Sequence, residues 1–250
     1  MHERMLKINS VKTQLIIFLV TFAVFLSVKE GDFTFAVATI IAVISASTLD
    51  AIALYLKKKG FQLTESSVIT GLIIGYVLAS DGGQAAFVLA ALLAVFSKHV
   101  IRYRNTHIFN PAAFGIFLTL ILFNASTQWR GTYSWYILAP FGLYFAHKIR
   151  KIEVIIGYAV VALGLFGAQA VIQKVPLVSI FGYLSYFFIF VMVIEPKTTP
   201  VSTAGKLVFG AGVAFLIFVL TELGARFDVE LCSLLVMNAA VPALNHLSPK

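Results

Sequence analysis

Long runs of apolar residues recur along nearly the whole chain, separated by short polar or charged segments. The strict alternation of polar and apolar positions that is typical of half-buried β-strands is absent from these runs, so the pattern predicts helices. Ten helical segments are predicted, at residues 13–28, 33–48, 66–80, 85–101, 108–123, 133–147, 152–173, 176–194, 204–221 and 229–246. Several are shorter than the ~20 residues that cross the hydrocarbon upright, which is typical of half-helices or tilted helices.

Composition places these helices in a membrane. Of the 250 residues, 60% are hydrophobic and 12% are charged, and the mean hydropathy is +0.93. A helix satisfies its own backbone hydrogen bonds in lipid, whereas a β-barrel would require alternation. The sequence therefore predicts an all-α, polytopic protein of the cytoplasmic (inner) cell membrane, with the lipid bilayer as its surroundings. The single cysteine, Cys232, excludes an internal disulfide and leaves no cysteine set for an iron–sulfur cluster or a zinc site.

The positive charges are distributed unequally between the two ends of the predicted helices. If the N-terminus is cytoplasmic, four of the 19 Lys and Arg residues fall outside the cell, at Lys29, Arg130, Lys174 and Arg226. The predicted cytoplasmic set is Arg4, Lys7, Lys12, Lys57, Lys58, Lys59, Lys98, Arg102, Arg104, Lys148, Arg150, Lys151, Lys197, Lys206 and Lys250. This asymmetry is typical of membrane proteins. It predicts that both termini are cytoplasmic and that the net charge of +8 reflects contact with anionic lipid and not nucleic acid.

Two similar short motifs, one in each half of the chain, predict an internal repeat. "FNPAAFG" opens the fifth predicted helix and "MNAAVPALN" lies in the tenth, and both combine Asn, small residues and Pro. Ten helices divide into five and five, and an odd number per half would insert the second half upside down. The predicted organisation is one five-helix repeat at residues 1–128 and a second, inverted repeat at 129–250, an architecture in which broken helices place a site near the midplane.

Polar residues inside apolar segments are costly in a membrane and mark candidate sites. They occur in four stretches: "LTESSVITGLIIGYVL" with Thr70, "SKHVIRYRNTHIFNPAAFG" with Lys98 and Asn110, "EPKTTPVSTAGKLVFG" with Glu195, Thr198 and Thr199, and "LLVMNAAVPALN" with Asn238. The "GAG" string at 210–212 lies in the middle of a predicted helix and is uninformative.

Each stretch also has a structural interpretation. Ser66 could cap its helix, and Asn110 before Pro111 could be an N-cap with Pro in the first turn. The Lys and Arg residues could anchor the cytoplasmic surface, and the polar segment after Glu195 could be a solvated hairpin. Asn238 could satisfy a carbonyl group that Pro242 frees in its own helix. The sequence by itself leaves these alternatives open.

Taken together, the four stretches resemble the RnfD/NqrB family, which comprises membrane subunits of the Rnf complex and of the sodium-pumping NADH:quinone oxidoreductase. They occur in the family's order and cover nearly the whole chain. The resemblance implies two inverted five-helix repeats and a bound flavin, FMN or riboflavin, that carries electrons through the membrane. It also implies that a flavin or its polar path is surrounded by Thr70, Lys98, Asn110, Glu195, Thr198, Thr199 and Asn238.

The chain departs from this family in one loop. Family members carry a Ser/Thr-Gly-Ala-Ser/Thr motif, where FMN is esterified to threonine, in a long loop after the fifth helix. Here the loop is "NASTQWRGT", and the motif's glycine is missing. The resemblance therefore implies a non-covalent flavin, with Phe109, Trp129 and Trp135 as candidates for stacking on its ring.

The leading hypothesis is thus an electron-transfer subunit, with soluble or membrane redox partner subunits and the option of a homo-oligomer, rather than a complete enzyme. A second hypothesis is a transporter or channel for a small solute or riboflavin, because inverted repeats also build transporters. A third hypothesis is a purely structural assembly subunit, which predicts that Asn110→Leu and Asn238→Leu leave the activity of the complex intact.

The topology can be tested directly. A reporter fused after Lys250 should be active in the cytoplasm, because the charge asymmetry places this end inside. Activity confined to the outside of the cell would contradict the ten-helix count.

Overall fold

The computed structural model describes residues 10–247. Its α-helices are α1 (Val11–Glu30), α2 (Phe33–Leu56), α3 (Glu65–Val77), α4 (Gly83–Val100), α5 (Pro111–Phe123), α6 (Trp135–Lys148), α7 (Ile152–Ile172), α8 (Ile180–Tyr183), α9 (Thr203–Glu222) and α10 (Val229–Leu247). Two short strands, β1 (Arg102–Tyr103) and β2 (Thr106–His107), pair antiparallel. Short 3₁₀ turns occupy Ser80–Gly82, Thr132–Ser134 and Leu177–Ser179, and a π-helix spans Phe188–Met192. The predicted all-α, polytopic membrane fold is confirmed.

Five helical segments within residues 10–247 are long and apolar enough to cross a membrane, by length and composition. They are Val11–Glu30, Phe33–Leu56, Ser80–Val100, Ile152–Ile172 and Thr203–Glu222. The apolar helices α3 and α5 are shorter. Ten membrane-spanning helices and cytoplasmic termini remain predictions, and the predicted cytoplasmic charges Arg4, Lys7 and Lys250 lie outside the described residues.

Two local predictions are wrong. The segment 176–194 is not one helix: Leu184 has an extended backbone (ψ 122°) that ends α8, and the Ser185 hydroxyl then accepts a hydrogen bond from the Phe188 N–H at 3.4 Å. Ser66 does not cap α3, because Thr64 accepts the Ser67 N–H at 3.2 Å. In both places a hydroxyl outside the helix binds a free N–H group of its first turn.

The chain forms two compact units. The first comprises the described residues up to Val100 together with Phe114–Gln128, and α2 packs against α3 and α4 within it. The second comprises Ile101–Ala113 and the described residues from Trp129 onward, and α9 packs against α7 and α10 within it. Helix α5 therefore begins in the second unit and continues in the first. The inverted repeats at 1–128 and 129–250 stay a prediction.

A buried carboxylate organises one end of the first unit. Asp50 on α2 is 1% exposed, and its side chain accepts hydrogen bonds from Lys98 at 3.0 Å and from Thr64 at 2.7 Å. His99 Nε2 lies 2.7 Å from the same carboxylate, and Lys57 Nζ lies 3.3 Å from His99 Nδ1. These bonds join α2 to the end of α4 and the start of α3, and they satisfy a charge that would be costly to bury alone.

Helices α7 and α9 of the second unit approach each other at two glycines. A Cβ added at Gly210 of α9 would collide with the carbonyl oxygen of Val154, and one added at Gly157 of α7 would collide with that of Leu207. The absence of both side chains lets the two backbones touch, as small residues commonly do between membrane helices. Gly210, the first glycine of the "GAG" string, therefore has a packing role that the sequence pattern did not indicate.

We expect Gly210→Ala to destabilise the protein by about 1–3 kcal/mol, because the new methyl group must separate α7 from α9. Gly164→Ala is the matched control: it lies on α7, and an added Cβ there meets no atom within 4 Å. Thermal unfolding in detergent compares the two variants. An equal effect of both substitutions would contradict the proposed contact.

Lys151 holds the polar segment between α8 and α9 in place. It is buried, and its ammonium group donates to the carbonyl oxygen of Pro200 at 2.7 Å and to that of Thr199 at 3.4 Å. Burial, together with the nearby Lys206 ammonium, lowers the pKa of Lys151 from 10.5 to about 8. Lys206 in turn lies 3.3 Å from the Glu153 carboxylate.

This pKa makes stability depend on pH. Between pH 8 and 10.5, the folded protein binds fewer protons at Lys151 than the unfolded chain does, so stability rises with pH in that window. The unfolding free energy of the wild type should therefore increase relative to that of Lys151→Met as the pH is raised through this range. Parallel pH profiles for the two proteins would contradict the lowered pKa.

Candidate functional site

Five of the seven predicted site residues lie together in the second unit, in three segments. These segments are the β1–β2 hairpin with the start of α5, the polar segment 195–202 between α8 and α9, and the second half of α10. The first segment supplies Asn110, the second supplies Glu195, Thr198 and Thr199, and the third supplies Asn238. The other two, Thr70 and Lys98, belong to the first unit.

A pair of buried amides joins the three segments. The Asn110 backbone N–H donates to Asn238 Oδ1 at 2.9 Å, although the two residues are 128 positions apart. Asn238 Nδ2 donates to the Thr198 carbonyl oxygen at 3.0 Å. The side chain of Asn238 therefore bonds to other segments, and the predicted alternative that it serves a carbonyl group of its own helix is not what the structure shows.

The Asn110 side chain caps α5. Its Oδ1 accepts the Ala113 N–H at 3.0 Å, and its Nδ2 lies within 3.4 Å of the Met192 carbonyl oxygen at the end of the π-helix. Pro111 fits the first helical turn because its missing N–H is not needed there. The N-cap interpretation of the sequence is thus present in the structure, and a second amide contact extends it.

Glu195 organises the polar segment from within. Its carboxylate lies 3.3 Å from His107 Nε2 and accepts the Thr198 hydroxyl at 3.3 Å, while its carbonyl oxygen accepts the Thr199 hydroxyl at 3.0 Å. Thr198 and Thr199 are buried, at 1% and 3% exposure. The predicted alternative of a solvated hairpin does not hold for these two side chains, because both hydroxyls bind Glu195 within the protein.

A half-open cavity of about 400 Å³ lies between the three segments. It is lined by Tyr103, Arg104, Thr106, His107, Ile108, Pro196, Lys197, Thr199, Val201, Asn238, Val241, Pro242, Asn245 and His246. The three buried polar residues among them, His107, Thr199 and Asn238, are called the floor below. Asn110, Glu195 and Thr198 do not line the cavity; they form a layer that fixes the floor.

Two predicted site residues are bound to partners within the first unit. The Thr70 hydroxyl donates to the Ser66 carbonyl oxygen at 2.9 Å in its own helix. Lys98 forms the ion pair with Asp50, with a shortest nitrogen–oxygen distance of 3.0 Å. The sequence offered a role in anchoring the cytoplasmic surface for the positive residues at this end of α4. Lys98 instead forms a buried ion pair with Asp50.

The aromatic residues proposed for stacking have other partners. Trp129 packs edge-on against Phe188 at 5.6 Å between ring centroids and donates to Asp228 at 3.2 Å. Trp135 packs against Tyr186 at 6.3 Å. Among the described residues that line the cavity, Tyr103 is the one Phe, Tyr or Trp residue.

Sequence reasoning missed several residues that the structure places in or near these networks. Asn245 accepts the Val201 N–H at 3.0 Å and holds the polar segment against α10. Asn245 ends the quoted "MNAAVPALN" string, and Asp50 is the one acidic residue in the apolar run of α2, so both carried a signal as polar residues in apolar surroundings. Nothing in the sequence pattern distinguished His107 or Lys151.

Comparison with known proteins finds similarity to a protein family in the second half of the chain. Residues 144–250 match the NQR2, RnfD, RnfE family. A relative from Buchnera aphidicola subsp. Baizongia pistaciae, a D-type subunit of an ion-translocating oxidoreductase complex, is 32% identical over 71 residues, which are 28% of this chain and 20% of the relative. A protein of the same description from Marinobacter nauticus is 35% identical over 60 residues, which are 24% of this chain and 17% of that protein.

The matched segments thus cover about a fifth of the length of these relatives. The family match contains the polar segment 195–202 and the whole of α10, which supply most of the cavity lining. The resemblance that the polar stretches of the sequence indicated is confirmed: residues 144–250 of this multi-pass membrane protein are similar to the NQR2, RnfD, RnfE family, and the relatives found are D subunits of ion-translocating oxidoreductase complexes.

Proposed function

We propose that this protein is a flavin-binding membrane subunit that carries electrons across the bilayer within an Rnf/Nqr-like redox complex. The observation that carries the proposal is the cavity with a buried polar floor, built largely from the segment that matches the family. The relatives are named as subunits of an ion-translocating oxidoreductase complex. Partner subunits would therefore supply and remove the electrons, and ion movement would be coupled through the same assembly.

The cavity fits a non-covalent flavin in size and chemistry. Its volume of about 400 Å³ lies within the usual range of small-molecule sites. Ile108, Val241 and Pro242 offer apolar surface to a flat ring. The floor offers hydrogen bonds to a polar ring edge, because Asn238 retains one N–H after its bonds to Asn110 and Thr198, and the Thr199 hydroxyl can still accept.

The protein's own groups would bind and orient such a ring. Asn238 and Thr199 would fix its polar edge, and Glu195 orients His107 from behind the floor through Nε2. A bound flavin would supply one- and two-electron transfer. Under the predicted topology, the three segments around the cavity all lie at cytoplasmic helix ends, which is the side from which a soluble electron donor would approach.

A matched pair of substitutions tests the site. Riboflavin titrated into the detergent-solubilised protein should bind and give a visible absorption that a reductant bleaches. Thr199→Val should weaken binding roughly three- to tenfold, because the floor loses one hydrogen bond. Thr198→Val changes the adjacent residue in the same way but keeps the backbone carbonyl group that binds Asn238, so it should leave affinity near that of the wild type.

Asn238→Leu should have a larger effect, roughly ten- to hundredfold, because it leaves buried polar groups without partners. Asn110→Leu should cost ~1 kcal/mol of stability as a lost cap while riboflavin still binds. A wild-type protein that is colourless and takes up no flavin on reconstitution would refute the proposal.

A solute transporter is the second candidate, favoured by the half-open shape of the cavity and its polar floor. It predicts uptake of a small solute or of riboflavin into liposomes at a rate that a reductant does not change. A flavin that stays bound through purification and is reduced in place would instead favour the electron-transfer role.

A further inference from the structure

We propose that the second unit binds a glycerophospholipid in another cavity, with one acyl chain along an aromatic groove and an ester carbonyl group on the Thr132 hydroxyl. This half-open cavity has a volume of about 720 Å³ and is called the aromatic cavity below. The turn before α6 and the start of α6 line one side, and α8 with its flanking residues lines the other. No described residue lines both cavities, so the proposal does not rest on the flavin function.

The lining of the aromatic cavity suits an apolar chain. None of the described lining residues is charged, and four of them are aromatic: Tyr133, Trp135, Phe181 and Tyr186. Trp135 and Phe181 are 55% and 54% exposed, and the Trp135 ring packs against Tyr186 at 6.3 Å between centroids. Trp and Tyr concentrate at the membrane–water interface, where the apolar ring and the polar tip both find suitable surroundings.

The Thr132 hydroxyl supplies a polar contact within this apolar lining. Its oxygen is buried and has no hydrogen-bond partner within residues 10–247, although Thr132 lines the aromatic cavity. Buried hydroxyl groups are nearly always paired, because an unmade hydrogen bond is costly. The Tyr186 hydroxyl, by contrast, donates to the Phe181 carbonyl oxygen at 3.1 Å. A ligand with an acceptor beside an apolar chain would therefore complete the site at Thr132.

The position of the aromatic cavity favours a lipid as its occupant. Under the predicted topology, α6 and α8 follow the external segments that contain Arg130 and Lys174. The cavity then lies at the outer membrane interface, which is the depth of the ester groups of a phospholipid. The lipid is also the most abundant molecule at this surface.

The size of the aromatic cavity argues against a partner helix. A helix about 10 Å wide that rises ~1.5 Å per residue takes up roughly 120 Å³ per residue, so the cavity would hold about six residues of one. An acyl chain is much narrower and can follow the groove while its ester group stays at Thr132. Because the described lining is uncharged, affinity should depend on the chain and the ester group and little on the headgroup.

Tryptophan fluorescence tests the site in the delipidated, detergent-solubilised full chain. The probe is a phosphatidylethanolamine with bromine atoms on its acyl chains, which quench a nearby indole ring. Trp129 and Trp135 are the two tryptophans of the sequence, so Trp129→Phe leaves Trp135 to report on the cavity. Quenching should saturate at about one lipid per chain, and native mass spectrometry of the wild type should retain one phospholipid. Quenching that rises with lipid without saturating would overturn the proposal.

Gly182→Leu should weaken binding at least tenfold, because the new side chain fills the aromatic cavity. A Cβ added at Gly182 meets no atom within 4 Å, and the φ of this residue lies outside the left-handed region, so the variant should keep the stability of the wild type. Gly164→Leu is the matched control: it also has open space around an added Cβ, but lies on α7 away from the described lining. Equal binding by the two variants would contradict the site.

An ester-linked and an ether-linked phospholipid with the same chains test the hydrogen bond. The wild type should bind the ester roughly three- to tenfold more tightly, because the ether lacks the carbonyl acceptor for Thr132. Thr132→Val should bind both lipids with the affinity that the wild type has for the ether. A preference for the ester that persists in Thr132→Val would overturn the role of this hydroxyl.

Two further measurements separate the lipid from other occupants. Phosphatidylglycerol should bind about as tightly as phosphatidylethanolamine, and a strong preference for either headgroup would contradict an uncharged site. Size-exclusion chromatography with light scattering should give the same oligomeric state for the wild type and Gly182→Leu. A wild-type oligomer that Gly182→Leu dissociates would assign the aromatic cavity to a second copy of the chain and overturn the proposal.

Discussion

The polar end of the second unit depends on one side-chain amide. Asn238 is fully buried and lies in α10, where an unpaired amide would be costly. Its oxygen accepts the N–H group at the start of α5, and its nitrogen donates to the carbonyl group of Thr198. Asn238 therefore holds the start of α5 and the polar segment 195–202 at fixed positions against α10, the helix in which it lies.

The cavity follows from that constraint. Because the amide holds the polar segment in place, Glu195 can bind Thr198, Thr199 and His107. Lys151 binds the carbonyl groups of Thr199 and Pro200 in the same segment. The segment is thus satisfied internally, and irregular backbone is tolerated at a membrane protein's helix ends where protein groups pair it. What remains facing outward is a small set of polar groups above apolar walls, which is the composition expected of a ligand site.

The sequence by itself determined the class of protein, the positions of most helices and the resemblance to the NQR2, RnfD, RnfE family. Apolar runs of sufficient length allow few structures in lipid, so the predicted segments overlap the helices that form, from α1 to α10. Polar residues in or beside apolar segments also marked Asn110, Glu195 and Asn238 as candidate site residues. The inferences on fold class and helix positions succeed because an apolar run in hydrocarbon must satisfy its own backbone, whatever the tertiary fold.

Tertiary structure alone decided the partners and therefore the roles. Asn110 and Asn238 meet across 128 residues. The Asn-Pro pair indicated a cap at Asn110, but nothing in the spacing of the chain could show that Asn238 becomes its neighbour. The family resemblance places Lys98 near a flavin or its polar path, whereas in the structure Lys98 binds Asp50 on another helix. The break at Leu184 was hidden inside an apolar run. Hydrophobicity is a property of each residue, so the sequence shows it; hydrogen-bond partners and close backbone contacts depend on which helices become neighbours, and only folding determines that.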